Sequence, residues 1–255
     1  PFILAGFAAF FVLLGVFIWW ELHISIPLLD VRLFQSKTFS FGTTAAFLIF
    51  FGSSAVLFLT PFYLQRVLGY SPRDAGFMVV PGALFMAVLG PLSGELSDRY
   101  GARMFTVGGL ALSAAGLFIL SGLTETSSKG LILPALILTS AGMGTFYSAN
   151  TSSILSAVPL ERYGVVSAFL NLTRNAGNVT SIAVATAIVT ATMGSMGHEP
   201  TLAAVQCSVD SGVCNAFTLG MRNAYRAMTV MLLLGMAISA FKFGEVPAPS
   251  PSQAR

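Results

Sequence analysis

Charged residues are scarce in this sequence: only 9% of its 255 residues are Asp, Glu, Lys or Arg, whereas 55% are hydrophobic. Soluble domains carry roughly 25% charged residues, so this chain lacks the polar surface that a water-soluble fold needs. Its net charge of +3 is small and scattered along the chain. This charge does not provide a basic nucleic-acid-binding surface, and no nucleic-acid partner is expected.

The residue patterns that enzymatic chemistry requires are also missing. The sequence shows no nucleophile with a general base, no glycine-rich phosphate loop and no set of His, Cys and acidic residues with metal-ligand spacing. We therefore expect neither an enzyme nor a metal site or cofactor. Strict alternation of apolar and polar residues is absent as well, which argues against a membrane β-barrel.

Long uncharged stretches take the place of these patterns. A helix needs about 20 apolar residues to cross about 30 Å of hydrocarbon. Five stretches reach or approach that length: residues 2–20, 38–65, 75–94, 104–124 and 130–160. Two further spans, over 175–198 and 217–241, require Arg174 inside one helix and place Arg222 and Arg226 at the membrane interface of the other. The sequence thus predicts an all-α integral membrane protein with seven transmembrane helices.

The distribution of charge and the two ends of the chain add to this picture. The predicted cytoplasmic ends carry seven Lys or Arg residues and the opposite ends carry five. The positive-inside rule therefore favours a multi-pass protein of the plasma or inner membrane with a cytoplasmic C-terminus. The chain begins at Pro1 inside an apolar run, without a signal peptide, and we expect it to be a fragment. The proline-rich residues 244–255 are expected to form a disordered tail.

Only two cysteines occur, Cys207 and Cys214, and both lie in the predicted external loop before the last helix. In an oxidising compartment they could form a disulfide, and the short ring would add about 2 to 3 kcal/mol of local constraint. The alternative is a pair of free thiols, and the sequence does not decide between the two.

Residues 94–103, between the third and fourth predicted spans, are the most informative segment. Gly90 and Gly94 form a small-xxx-small face that allows helices to approach closely, and Gly101 suits a tight turn. Asp98, expected near the start of the next helix, would be stabilised by the helix dipole.

Its carboxylate has several candidate partners. Asp98 could pair with Arg99, with Arg103 or with a neighbouring helix, and such a pair would act as a latch between helices. The alternative is a solvated cytoplasmic turn with ordinary anchoring charges.

This segment is similar to the cytoplasmic loop signature of the major facilitator superfamily, which runs Gly, three residues, Asp-Arg, one residue, Gly, one residue and Arg. The matching residues are Gly94, Asp98, Arg99, Gly101 and Arg103. Glu95 departs from the pattern, because that position is often basic or neutral. Residues 27–34 and 61–81 resemble the fourteen-span drug:proton antiporter subfamily.

On this resemblance the chain holds spans eight to fourteen of such a transporter. Residues 1–38 would form one central transmembrane helix and its cytoplasmic connector, and residues 39–243 the C-terminal six-helix bundle. That bundle should divide into inverted three-helix repeats near 39–123 and 130–243.

The resemblance also implies a function, namely secondary active transport by alternating access, with proton-coupled export of drugs or other lipophilic or cationic small molecules. The implied partners are a small-molecule substrate, the lipid bilayer and the missing N-terminal half of the same protein. One alternative is a major facilitator transporter with a different substrate. Another is a seven-helix receptor or light-driven pump, but a retinal pump needs a buried Lys in its last helix and Lys242 lies at the helix end.

Polar side chains form one stripe on the helix that contains Arg174. The stripe consists of Ser167, Asn171, Arg174, Asn175, Asn178 and Ser181, at helical spacing. Inserting an Arg near a helix centre costs about 2.5 to 3.5 kcal/mol, so it normally faces a water-filled cavity or a partner. The predicted pathway residues are Asn150, Asn171, Arg174, Asn175 and Asn178. The alternative is that Arg174 snorkels to the interface. No Asp or Glu lies within a predicted span, so any proton site is expected outside this chain.

Overall fold

The computed structural model describes residues 31–202, 205, 207 and 211–242, together with scattered positions before residue 31. Most of the first predicted span, residues 2–20, lies outside the described residues, as does the predicted tail, 244–255. The described part of the chain contains six long α-helices: α1 (Lys37–Phe62), α2 (Pro72–Tyr100), α3 (Ala102–Leu120), α4 (Lys129–Leu155), α5 (Tyr163–Ser195) and α6 (Ser211–Lys242). Each is long and apolar enough to span a membrane. The predicted all-α membrane fold is confirmed.

Local sequence signals set the helix ends. Ser71 has an extended backbone, and its side chain accepts a hydrogen bond from the Asp74 amide at 3.2 Å, with Pro72 at the first helical position. This is the N-cap that the sequence predicts for α2. A single residue, Gly101, separates α2 from α3, and its φ of +89° is one that a residue with a Cβ rarely adopts.

The structure corrects the predicted position of Asp98. Because α2 continues to Tyr100, Asp98 lies in the last turn of α2 and not at the start of the following helix. The negative end of the α2 dipole disfavours a carboxylate there. Asp98 therefore needs a stabilising contact from another element.

Small residues bring α3 and α4 into close contact. A Cβ at Gly109 would lie 2.6 Å from the Gly142 carbonyl oxygen, and a Cβ at Gly142 would lie 2.5 Å from the Ser113 amide nitrogen. The Ser113 hydroxyl donates to the Thr139 carbonyl at 3.0 Å across the same interface. We call this interface the glycine seam. It fixes α3 against α4 as one rigid pair.

The helix pairs follow a two-fold pattern. Helix α1 packs on α5 and α6, whereas α4 packs on α2 and α3, and α3 also packs on α6. Exchanging the first three helices for the last three reproduces these pairs. These pairs are those expected of two inverted three-helix repeats, although α5 and α6 contact each other much more extensively than α2 and α3 do. The repeats stay a prediction.

Helix α2 is the most open of the six. Its buried residues are Ala75, Met78, Gly82, Ser93 and Ser97. Large apolar side chains point outward along the rest of the helix, with Phe77 60% and Leu84 62% exposed. Lipid or another apolar protein surface must cover this face in a membrane.

Candidate functional site

A cavity of about 630 Å³ lies between α2 and α4 on the side of the bundle where α2 is open. Gly90 of α2 lines this cavity, and a Cβ built on Gly90 would meet nothing within 4 Å. The predicted close approach at Gly90 is therefore wrong, because Gly90 faces the cavity. Aromatic, thioether and hydroxyl side chains line the walls: Met86, Tyr147, Ser148, Thr151, Ser152 and Tyr163.

Next to the cavity, α2 and α4 are held together by small polar residues. A Cβ at Gly94 would lie 2.5 Å from the Ser148 hydroxyl, so the predicted close approach is confirmed there. The Ser152 hydroxyl donates to the Asp98 carboxylate at 2.8 Å. Because Ser152 also lines the cavity, this hydrogen bond lies at the cavity edge. Asp98 thus contacts a neighbouring helix, which was one of its three predicted partners.

The two arginines of the loop motif lie on the surface. Arg99 pairs with Glu95 at 2.8 Å, and their side chains are 71% and 63% exposed. Such an exposed pair contributes about 0 to 1 kcal/mol. Arg103 is exposed in the first turn of α3. Glu95, which departs from the family pattern, is therefore the partner of a motif residue.

Arg174 lies inside α5, as the sequence predicts, and is half-buried. Its guanidinium donates to the Asn171 side-chain oxygen at 2.7 Å and lies over the Tyr147 ring of α4, 5.9 Å from the ring centre. The Tyr147 ring also packs edge-on against Phe50 of α1 at 5.6 Å. Tyr147 is therefore shared between the cavity wall and the Arg174 contact. These contacts hold the guanidinium against α4.

The rest of the polar stripe does not form one open surface. Asn171 and Asn175 are exposed, whereas Asn178 is half-buried and bonds to Ser54 of α1. Ser181 is fully buried and accepts a hydrogen bond from the Ala55 amide at 2.9 Å. The stripe changes along α5 from an exposed polar face into an interface with α1.

Asn150, which is predicted to line the pathway, does not line the cavity in this structure. Its side chain is 1% exposed, and its amide donates to the Gly42 carbonyl at 3.0 Å. Asn150 therefore connects α4 to α1 inside the bundle. The residues that do line the cavity from α4 include Tyr147, which sequence reasoning missed. The available signal was its position one helical turn from Asn150 and Thr151, in the polar half of α4.

The opposite end of the bundle is closed by side chains from several helices. Cys207 and Cys214 form a disulfide, with their Cα atoms 5.2 Å apart. The buried hydroxyls of Thr60 and Tyr225 join α1 to α6 at 2.9 Å. Arg222, predicted at the membrane interface, donates to the Ser121 carbonyl at 3.2 Å.

Comparisons with known proteins match this architecture. The family model of the Major Facilitator Superfamily matches residues 1–182 and 45–255. The chain is 32% identical to Multidrug resistance protein Stp of Mycobacterium tuberculosis over 177 residues, which cover 69% of this chain and 33% of that protein. It is 32% identical to Riboflavin transporter RibZ of Clostridioides difficile over 155 residues, which cover 61% of this chain and 34% of that protein.

A solved structure shows the same fold. The crystal structure of a bacterial homolog to the human lysosomal transporter Spinster, in an inward-facing and occupied conformation, matches with a TM-score of 0.69 at 20% identity. The match covers 84% of this chain and 51% of that chain. The chain spans about a third of the length of the two curated relatives. The family match extends over the whole bundle, and the chain belongs to the Major Facilitator Superfamily.

Proposed function

We propose that this chain is the C-terminal half of a secondary active transporter that works by alternating access and exports small molecules with proton coupling. Family membership supports this proposal, together with the similarity to a protein named for multidrug resistance. The preceding half would supply the second bundle, and it would also supply the titratable acid that proton coupling needs. The Asp98 end and the C-terminus would lie in the cytoplasm, and the disulfide outside.

The observation that carries the proposal is the cavity on the open side of a rigid bundle. In transporters with inverted repeats, one bundle rocks against the other around a central site. The glycine seam makes α3 and α4 move together, whereas the open face of α2 is free to exchange contacts with a second bundle. The cavity beside that face would then open to alternate sides of the membrane.

The chemistry of the cavity suits a lipophilic substrate with a few polar groups. Its volume of about 630 Å³ falls within the roughly 300 to 1,000 Å³ of small-molecule sites. Tyr147 and Tyr163 offer aromatic faces, Met86 offers an adaptable thioether, and Ser148 and Thr151 offer hydroxyls. We propose drugs and related lipophilic or cationic molecules as the substrate class.

A second candidate is a transporter for one dedicated metabolite. This candidate is favoured by the similarity to a protein named as a riboflavin transporter, which is 32% identical to this chain, as is the protein named for multidrug resistance. The two candidates differ in breadth, since a dedicated transporter would export a flavin but not unrelated cationic dyes.

The test is dye export by the full-length protein in cells that lack other exporters. We expect ethidium export that a protonophore abolishes. Asp98→Asn keeps an acceptor for Ser152 but removes the charge, and Arg174→Ala removes the half-buried cation, so both should lose export at unchanged expression. Leu172→Ala, on the exposed side of α5, is the matched control and should export normally. Full export by both variants would refute these two residue assignments.

A further inference from the structure

Arg174 carries a charge that the described bundle does not neutralise. Within the part of the chain that the structure describes, its contacts are the neutral Asn171 side chain and the neutral Tyr147 ring. A guanidinium has five N–H donors, and one of its nitrogens has a described hydrogen bond. The contacts therefore orient Arg174 without compensating its charge.

The helices that pack against α5 offer no acidic partner. On α2, across the cavity, Asp98 accepts a hydrogen bond from Ser152, and Glu95 pairs with Arg99. The four helices α1, α4, α5 and α6 contain neither Asp nor Glu anywhere in their sequences. The nearest acid before Arg174 in the sequence is Glu161, 13 residues earlier and thus about 20 Å away along the helix axis. This distance is far beyond the reach of a salt bridge.

The depth of Arg174 makes the missing partner significant. Helix α5 has 33 residues and is about 50 Å long, whereas the hydrocarbon core of a bilayer is about 30 Å thick. With α5 centred in the bilayer, Arg174 lies about 17 Å from the start of the helix and about 7 Å inside the core. Its stacking on Tyr147 holds the guanidinium against α4, the helix that lines the cavity. A charge at that depth is stable only when water or an anion compensates it.

We propose that Arg174 binds a carboxylate that comes from outside the six-helix bundle, within the transport pathway. The proposal rests on the proposed function and adds the chemistry of its site. A planar guanidinium with free N–H donors forms bidentate bonds with a carboxylate, which a Lys ammonium cannot reproduce. The carboxylate has two sources to distinguish, namely an acidic side chain of the preceding half and an anionic group of the substrate.

Cysteine labelling in membranes tests the site without relying on transport. Arg174→Cys in the full-length protein should react with small charged methanethiosulfonate reagents, because the proposal places this position in a water-accessible pathway. Leu172→Cys is the matched control at about the same depth. The Leu172 side chain is 61% exposed on another face of α5. We expect that face to contact lipid and not water, so this cysteine should not react. An Arg174→Cys thiol that reacts with neither the cationic nor the anionic reagent would overturn the proposal.

The source of the carboxylate follows from two comparisons. If an acid of the preceding half faces Arg174, the cationic reagent should modify Arg174→Cys about tenfold faster than the anionic one, after correction for their rates with a free thiol in solution. If the substrate supplies the carboxylate, Arg174→Gln should raise the KM for rhodamine 110 about tenfold more than the KM for its methyl ester, rhodamine 123.

Equal labelling by both reagents, together with an equal effect of Arg174→Gln on the KM for the two dyes, would also overturn the proposal. A wild-type protein that exports neither dye would count against the proposed function, and the labelling result would still decide the role of Arg174.

Discussion

Replacing Gly142 with alanine is the sharpest test of how the bundle is held together. The new Cβ would lie 2.5 Å from the Ser113 amide nitrogen and 2.6 Å from its hydroxyl. Ordinary van der Waals contact begins at 3.4 Å, and the Gly109 carbonyl oxygen lies closer still than the Ser113 nitrogen, so α3 and α4 must separate locally by about 1 Å. That movement lengthens the 3.0 Å hydrogen bond from Ser113 to the Thr139 carbonyl beyond bonding distance.

The expected cost combines three effects. Overpacking a close interface costs about 1 to 3 kcal/mol, and losing the hydrogen bond costs about 0.5 to 1.5 kcal/mol. The higher helix propensity of alanine recovers up to about 1 kcal/mol. The net loss is about 0.5 to 3.5 kcal/mol, and it should lower the Tm.

The measurement is thermal unfolding of the purified full-length protein in detergent. Gly108→Ala is the matched control, because it makes the same change on α3 at a position where a Cβ meets nothing within 4 Å. It should melt at or slightly above the wild-type temperature. If Gly142→Ala melts together with Gly108→Ala, the two helices are not packed as closely as the structure shows.

Two further predictions concern the opposite end of the bundle. Tyr225→Phe leaves the buried Thr60 hydroxyl without its partner and should cost about 1 to 3 kcal/mol in the same unfolding assay. Tyr225→Phe combined with Thr60→Val should be close to neutral, because both polar groups are gone. Equal melting temperatures of the single and double variants would contradict this prediction. The Cys207–Cys214 disulfide should block labelling of both cysteines by a membrane-impermeant maleimide added to intact cells, until an impermeant reductant is supplied. Labelling before reduction would contradict the disulfide. An absence of labelling after reduction would contradict its proposed external position.

Local signals in the sequence were sufficient to predict the helices and several of their ends. The uncharged gaps give the six described spans because membrane length alone decides where charge is tolerated. Ser71 and Gly101 mark helix boundaries because capping and a positive φ depend on one or two residues. The misplacement of Asp98 followed from ending α2 too early, and α5 and α6 also begin earlier than predicted, at Tyr163 and Ser211.

The contacts between helices were not predictable in this way. Gly109 and Gly142 meet across the glycine seam, and neither helix carries a local sign of its partner. Asn150 and Arg174 looked equivalent as polar residues in spans, yet Asn150 binds a carbonyl inside the bundle whereas Arg174 meets Tyr147 beside the cavity. Helical periodicity shows which residues share a face but not what that face contacts.

The central claim is that this bundle belongs to a transporter driven by a proton gradient. It is tested most directly by reconstituting the full-length protein into liposomes and following ethidium movement under an imposed pH gradient, without ATP. We predict dye accumulation on the acidic side, collapse of that accumulation by a protonophore and its loss in Asp98→Asn. Dye transport that does not depend on the pH gradient, or that requires ATP, would contradict this claim.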